Sequence, residues 1–182
     1  MEKRIAVFGS GIVKESSPQF KIAYEIGFFL ASSGFTVVNG GYGGSMLASA
    51  KGAKEAGGKT IGVTTDDFGS AKNQFIDQEI RKKTWQGRLH QLIKLADGYV
   101  VLDGGTGTLT EFMVVWEMAS KKFHKKPIVA LGRYVKSLIQ VLKKNPEVKF
   151  PNGFQIVSTP KTVVQYLVSY FNHAQTSFRE TN

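Results

Sequence analysis

The chain has 182 residues, enough for one domain with its own core, and its 42% hydrophobic and 21% charged residues are those of an ordinary globular protein. It has no cysteine, which excludes a disulfide framework, a thiolate metal site and a cysteine nucleophile, and no apolar run approaches the ~20 residues of a membrane span. The net charge of +10 is concentrated between residues 121 and 149, where nine Lys/Arg face the single acid Glu147; this is either a solvated face or a field that steers anionic ligands or nucleic acid.

Met1-Glu2-Lys3-Arg4 leads into an apolar segment too short for a signal-peptide core, so a cytoplasmic location without membrane attachment is expected. A strand is predicted over residues 4–9, a helix over 18–33, a strand over 35–39, a helix over 44–56 and a strand over 60–63. Residues 64–76 lack a period and carry Asp, Gly and Ser, which predicts a flexible loop. A helix over 77–96, a strand over 98–102, a helix over 108–123, a strand over 127–131, a helix over 135–144 and a strand over 154–157 follow. The last helix, 160–171, opens at Thr159-Pro160, a capping hydroxyl followed by proline at the first helical position. This alternation predicts an α/β, doubly wound, mostly parallel sheet of about six strands with helices on both faces. Residues 1–174 are expected to form one domain and 175–182 a polar C-terminal tail.

The first, second and fourth predicted strands each run out into glycine. They read Phe8-Gly9-Ser10-Gly11, Asn39-Gly40-Gly41-Tyr42-Gly43-Gly44 and Asp103-Gly104-Gly105-Thr106-Gly107-Thr108. In doubly wound sheets ligands sit outside the carboxyl ends of the strands, where the strand order reverses. With the order 3-2-1-4-5-6 that crevice lies between the first and fourth strands and gathers all three loops. Glycine lets backbone N–H groups approach an oxyanion, and the helix N-terminus that follows adds about half a positive charge. The hydroxyls of Thr106 and Thr108 are further donors, so a phosphorylated nucleotide is the expected ligand; tight strand-to-helix turns are the alternative explanation of the glycines. Known nucleotide motifs fit poorly. Lys14 stands where a dinucleotide fingerprint needs its third glycine, and the second strand ends at Asn39 instead of an acid. The stretch AKEAGGKT (residues 53–60) matches a relaxed P-loop, but a helix precedes it and a strand follows, the reverse of what a P-loop requires.

Glu111 admits two roles. Thr108-Leu109-Thr110-Glu111 reads as a capping box, yet the helix opens beneath the proposed phosphate loop, where a carboxylate can face the sugar of a bound nucleotide. Arg88 reads by chemistry alone as a surface arginine. His90, His124 and His173 lack metal-ligand spacing and read as structural, so neither a metal nor a cofactor is expected. Trp85 and Trp116 read as packing residues, with Trp85 close enough to Arg88 to border a base pocket.

The stretch GGTGTLTE, residues 104–111, resembles the PGGxGTxxE signature of the Lonely Guy (LOG) family of nucleoside monophosphate phosphoribohydrolases. Arg88 has the spacing of that family's essential arginine, and VFGSG (7–11), GGYGGSM (40–46) and AGGKTIGV (56–63) match in the same order. The resemblance implies a Rossmann-like fold, a homodimer, and hydrolysis of a nucleoside 5′-monophosphate, cytokinin or AMP-like, to free base and ribose 5-phosphate. It places Glu111 and Arg88 in catalysis, and Gly104, Gly105, Thr106, Gly107 and Thr108 on the phosphate. Gly9, Ser10, Gly40, Gly41, Gly43, Gly44 and Met46 would complete the nucleotide site. Asp103 replaces the signature's proline, Leu89 a basic residue, and Asn39 a frequent glycine. Two other classes share this fold: molybdenum cofactor carriers, which would use the same loops without catalysis, and single-stranded DNA-binding recombination proteins. Retention of Glu111 together with Arg88 favours the hydrolase over both.

Overall fold

The computed structural model describes residues 2–179, with side chains as far as His173. Seven parallel strands form one sheet: β1 (Arg4–Phe8), β2 (Thr36–Asn39), β3 (Thr60–Thr65), β4 (Gln78–Lys82), β5 (Gly98–Leu102), β6 (Ile128–Leu131) and β7 (Phe154–Ile156). Their spatial order is β4-β3-β2-β1-β5-β6-β7. The helices are α1 (Pro18–Ser32), α2 (Ser45–Glu55), α3 (Trp85–Leu95), α4 (Thr106–Ser120), α5 (Arg133–Leu142) and α6 (Pro160–Arg179). The tail expected at 175–182 lies outside the described side chains.

Successive side chains of a strand point to opposite faces, and β1 divides accordingly. Ile5 and Val7 pack with α1, α2 and α6 through Phe20, Ile26, Leu30, Ala48 and Leu167. Ala6 and Phe8 pack on the other face with α3, α4 and α5 through Leu92, Phe112, Trp116 and Ile139. Strands covered on both faces need no polar alternation, which is why β1 after Arg4 and β5 read as plain apolar runs. Trp116 is the packing residue expected: it is buried against Phe112, Phe150 and Phe154, and its indole N–H donates to the Lys149 carbonyl at 2.9 Å. Among the described residues no helix is long and apolar enough to cross a membrane.

The order expected for six strands is present, with one further strand at the edge. That strand, β4, falls inside the helix predicted over 77–96. Its only apolar residue is the half-buried Ile80, so the segment shows no alternation, and its register against β3 is held by tertiary contacts. Thr64 Oγ1 donates to Glu79 Oε1 at 2.5 Å, and Arg81 Nε meets Asp66 Oδ1 at 2.5 Å. A charged edge also discourages further strand pairing. The helix itself starts only at Trp85, where Thr84 caps it by accepting from the Gly87 amide at 3.1 Å. The loop predicted to be flexible is tied down as well. Asn73 donates from its side chain to the carbonyls of Gly41 (3.1 Å) and Tyr42 (2.8 Å), and Ile76 is buried.

Candidate active site

After β1 the chain turns toward β2, and after β5 it turns the other way toward β6, so the strand order reverses between β1 and β5. A cleft of about 300 Å³ opens there at the carboxyl ends of the strands. Gly9 and Ser10 line it from the end of β1, Gly40 from the end of β2, Met46 from α2, and Gly105, Thr106, Gly107 and Thr108 from the start of α4. Gly105 is the N-cap of α4 and offers no side-chain acceptor, so the first-turn amides have no partner within the helix and stand at the cleft with the positive end of the helix dipole. Gly104 sits behind this wall. A Cβ on it would lie 2.2 Å from Thr108 Oγ1 and 3.0 Å from the Ser10 amide. Gly41, Gly43 and Gly44 also pack behind the cleft, against Thr64 and the backbone of Ser10 and Gly11, and do not line it.

Two departures from the LOG signature have structural occupations. The Asp103 carboxylate turns away from the cleft and accepts from the amides of Arg133 (2.9 Å) and Val135 (2.8 Å), capping α5, whose N-cap Gly132 has no side chain. Its charge is therefore engaged by a second helix N-terminus. Asn39 is fully buried; its Oδ1 accepts from Gly41 N at 2.8 Å, and its Nδ2 donates to Met46 O at 2.9 Å and Ser49 Oγ at 3.1 Å. It fixes the second glycine loop to α2. Leu89, the third departure, is half-buried on α3 and packs against the core.

Of the two roles open to Glu111, the capping box with Thr108 does not form. Helix α4 begins two residues earlier than predicted, at Thr106, which moves Glu111 into the second turn, beyond reach of the N-cap amide. Arg88 is not a surface residue either; it is 6% exposed. Its Nε donates to the Val63 carbonyl of β3 at 2.8 Å, its Nη1 lies 3.7 Å from Glu111 Oε1, and its Nη2 lies 3.9 Å from Met46 Sδ. The rings of Tyr42 and Phe68 lie 5.7 and 5.6 Å from its guanidinium carbon. Gly40 makes room for this arrangement, since a Cβ there would stand 1.7 Å from Arg88 Nη2. Burial pushes the Glu111 carboxyl up to about 7, and the guanidinium beside it works in the opposite direction. Burial likewise lowers the arginine's pKa, with Glu111 opposing. At neutral pH the floor of the cleft thus holds a carboxyl poised between its two protonation states.

Phe68, Ile12, Gly11 and Val7 also line the cleft, as does Trp85. Trp85 was legible, standing three residues before Arg88 and therefore on the same helix face. Phe68 was not: an aromatic in a polar loop gives no signal of where the loop folds. A larger cavity, about 1010 Å³, lies at the amino ends of the strands; its three acids are each paired with a lysine, in Lys54–Asp77, Lys59–Glu2 and Lys3–Asp97, and Arg4 and Lys94 line it as well.

The chain is similar to proteins of named activity and to solved structures. A cytokinin riboside 5′-monophosphate phosphoribohydrolase of Mycobacterium tuberculosis is 33% identical over 112 residues, 60% of this chain and 60% of that enzyme's length. One from Arabidopsis thaliana is 29% identical over 181 residues, covering 92% of this chain and 83% of that one. The molybdenum cofactor binding protein of Rippkaea orientalis superposes with a TM-score of 0.75 at 25% identity, covering 94% of this chain and 98% of that one. The SLOG cluster4 family model matches residues 2–163, all seven strands of the sheet and every residue of the cleft, and the chain belongs to that family.

Proposed function

We propose that the protein hydrolyses the N-glycosidic bond of a nucleoside 5′-monophosphate, of cytokinin or AMP type, releasing the free base and ribose 5-phosphate. The observation that carries this reading is the buried Arg88–Glu111 pair, 3.7 Å apart, at the floor of a cleft walled by the amides of α4. The 5′-phosphate meets those amides and the hydroxyls of Thr106 and Thr108. That anchors the sugar over Glu111. As the C1′–N bond breaks, its electron pair leaves with the base, which takes up a proton, and positive charge develops on the sugar ring. The Glu111 carboxylate stabilises that charge and accepts a proton from the water whose oxygen bonds to C1′. Arg88 keeps enough of Glu111 ionised for this at neutral pH and holds its orientation through the bond to Val63. The enzymatic names of the relatives support the same chemistry. The protein acts, in this reading, in the cytoplasm as a homodimer and without a cofactor.

Incubation with a panel of nucleoside 5′-monophosphates, assayed for free base, is the direct test. Release of base from at least one member, lost in Glu111→Gln, is expected. The fold likeness to the Rippkaea protein favours a second reading, a non-catalytic carrier of a nucleotide or of molybdenum cofactor. Binding of the panel with no release of base from any member would select it.

A further inference from the structure

Part of the lining of the cleft is apolar and open. Ile12 is 90% exposed and Phe68 50% exposed, and both line the cleft with the half-buried Trp85. Large apolar side chains are costly to leave uncovered at the mouth of a polar site. Here two of them are also held in place. Phe68 ends a 3₁₀ turn, Asp66–Phe68, capped by the Thr65 hydroxyl, which accepts from the Asp67 amide at 3.3 Å. The turn is pinned on one side by Arg81 on Asp66 and on the other by the Tyr42 hydroxyl, which accepts from the Thr65 amide at 2.9 Å. Asp67 Oδ2 then accepts from the amide of Trp85, the first residue of α3, at 2.6 Å. One carboxylate thus ties the turn that carries Phe68 to the helix end that carries Trp85. Phe68 backs onto Tyr42 and Arg88, while Trp85 shares no ring contact and its indole N–H meets no acceptor among the described residues.

We infer that Phe68 and Trp85, with Ile12 at the rim, form the platform on which the base of the nucleotide lies, and that Asp67 is the positioning residue that keeps the two rings in register. The inference rests on the nucleotide reading above and deepens it. With the phosphate at the amides of α4 and C1′ over Glu111, the ring attached to C1′ is left to the apolar part of the lining. The faces of a flat base cover aromatic side chains whatever its edge groups. A phosphate or a sugar has no such use for them.

Formycin A 5′-monophosphate, an AMP isostere whose carbon–carbon glycosidic bond is not hydrolysed, and ribose 5-phosphate are the probes, titrated calorimetrically into the full chain. Phe68→Ala and Trp85→Ala are each expected to weaken the nucleotide about tenfold or more and to leave ribose 5-phosphate unchanged. Asp67→Ala is expected to weaken the nucleotide alone, and Asp67→Asn, which keeps one acceptor oxygen, to recover most of the loss. Unchanged nucleotide affinity in both ring variants, or equal losses for the two probes, overturns the platform and leaves the nucleotide reading standing. Intact nucleotide affinity in Asp67→Ala overturns the positioning role. A parent protein that binds neither probe overturns the nucleotide reading and the platform with it.

Discussion

In the folded protein Glu111 holds its proton up to about pH 7, against an ordinary value of 4.5, because burial disfavours the carboxylate more than Arg88 favours it. Between those two values the native state binds more proton than the unfolded chain. The stability this group contributes is therefore full below pH 4.5 and is lost as the pH rises through about 7. Glu111→Gln has nothing to titrate. The stability of the parent relative to Glu111→Gln should fall by at most about 3 kcal/mol across that window, which urea melts of both proteins at pH 5 and pH 8 would read. A difference that does not change with pH would mean the carboxyl titrates normally. Activity should run the other way. A carboxylate that must be ionised gives kcat/KM an ascending limb near pH 7, and Glu111→Gln should cost on the order of 10²–10³ in kcat while AMP still binds. Arg88→Ala removes the cation that pairs with Glu111, so the limb should move to higher pH as activity drops. A limb that stays where it was would detach the arginine from the carboxyl's ionisation.

Three glycines within four residues, Gly104, Gly105 and Gly107, lead into helix α4, and the space around them differs. A Cβ at Gly105 or Gly107 meets nothing within 4 Å, whereas at Gly104 it collides with Thr108. Gly107 is a regular helical position, so Gly107→Ala should stabilise the fold by roughly 0.5–1 kcal/mol through helix propensity. The added methyl projects where the phosphate is to sit, so AMP affinity should drop while adenosine binding changes little. Gly104→Ala should instead destabilise by about 1–3 kcal/mol through overpacking. Equal AMP affinity in Gly107→Ala and parent would remove the phosphate from this helix end. The same element separates what the sequence disclosed from what it hid. Glycine after β1, β2 and β5 is legible because at Gly9, Gly40 and Gly104 a side chain would collide with its neighbours, and strand order follows from the alternation of β and α. The start of α4 was misplaced because Thr108 and Glu111 have the spacing of a capping box, while the actual N-cap, Gly105, is a residue with no capping side chain. β4 was hidden because an edge strand held by Glu79 and Arg81 carries no apolar alternation. The burial of Arg88 was illegible for a different reason. It depends on a carbonyl of β3 and on the gap left by Gly40, both distant in sequence and close only once the sheet has formed.

Across the whole molecule the charge and the cleft are at opposite ends. Helices α4 and α5 run back from the carboxyl end of the sheet, so Lys121, Lys122 and Lys125 after α4, and Lys143, Lys144 and Lys149 after α5, gather at the amino end. Of the basic run only Arg133 and Lys136 lie near the cleft side, at the start of α5. The 15 residues of α4 span about 22 Å, more than twice the screening length of about 8 Å at physiological salt. The distal lysines therefore add little to the potential at the proposed phosphate site, where the amides and dipole of α4 stand. Part of the run is also already engaged: Lys126 Nζ donates to the Ile93 carbonyl at 3.0 Å, Lys121 pairs with Glu117, and Lys143 lies over the Phe150 ring. A joint Lys122→Glu, Lys143→Glu and Lys144→Glu variant should bind AMP within about twofold of the parent at physiological salt, since its charges lie beyond the screening length. The same patch, acting by charge alone, should hold single-stranded DNA only with dissociation constants of roughly 10⁻⁴–10⁻⁶ M, weakening steeply with added salt. Fluorescence anisotropy with a labelled oligonucleotide from about 50 to 200 mM salt measures that slope. Tight binding that persists at the upper end and vanishes in the triple variant would make the basic face a nucleic-acid site in its own right, and the hydrolase reading would then need to account for two anionic partners at opposite ends of one sheet.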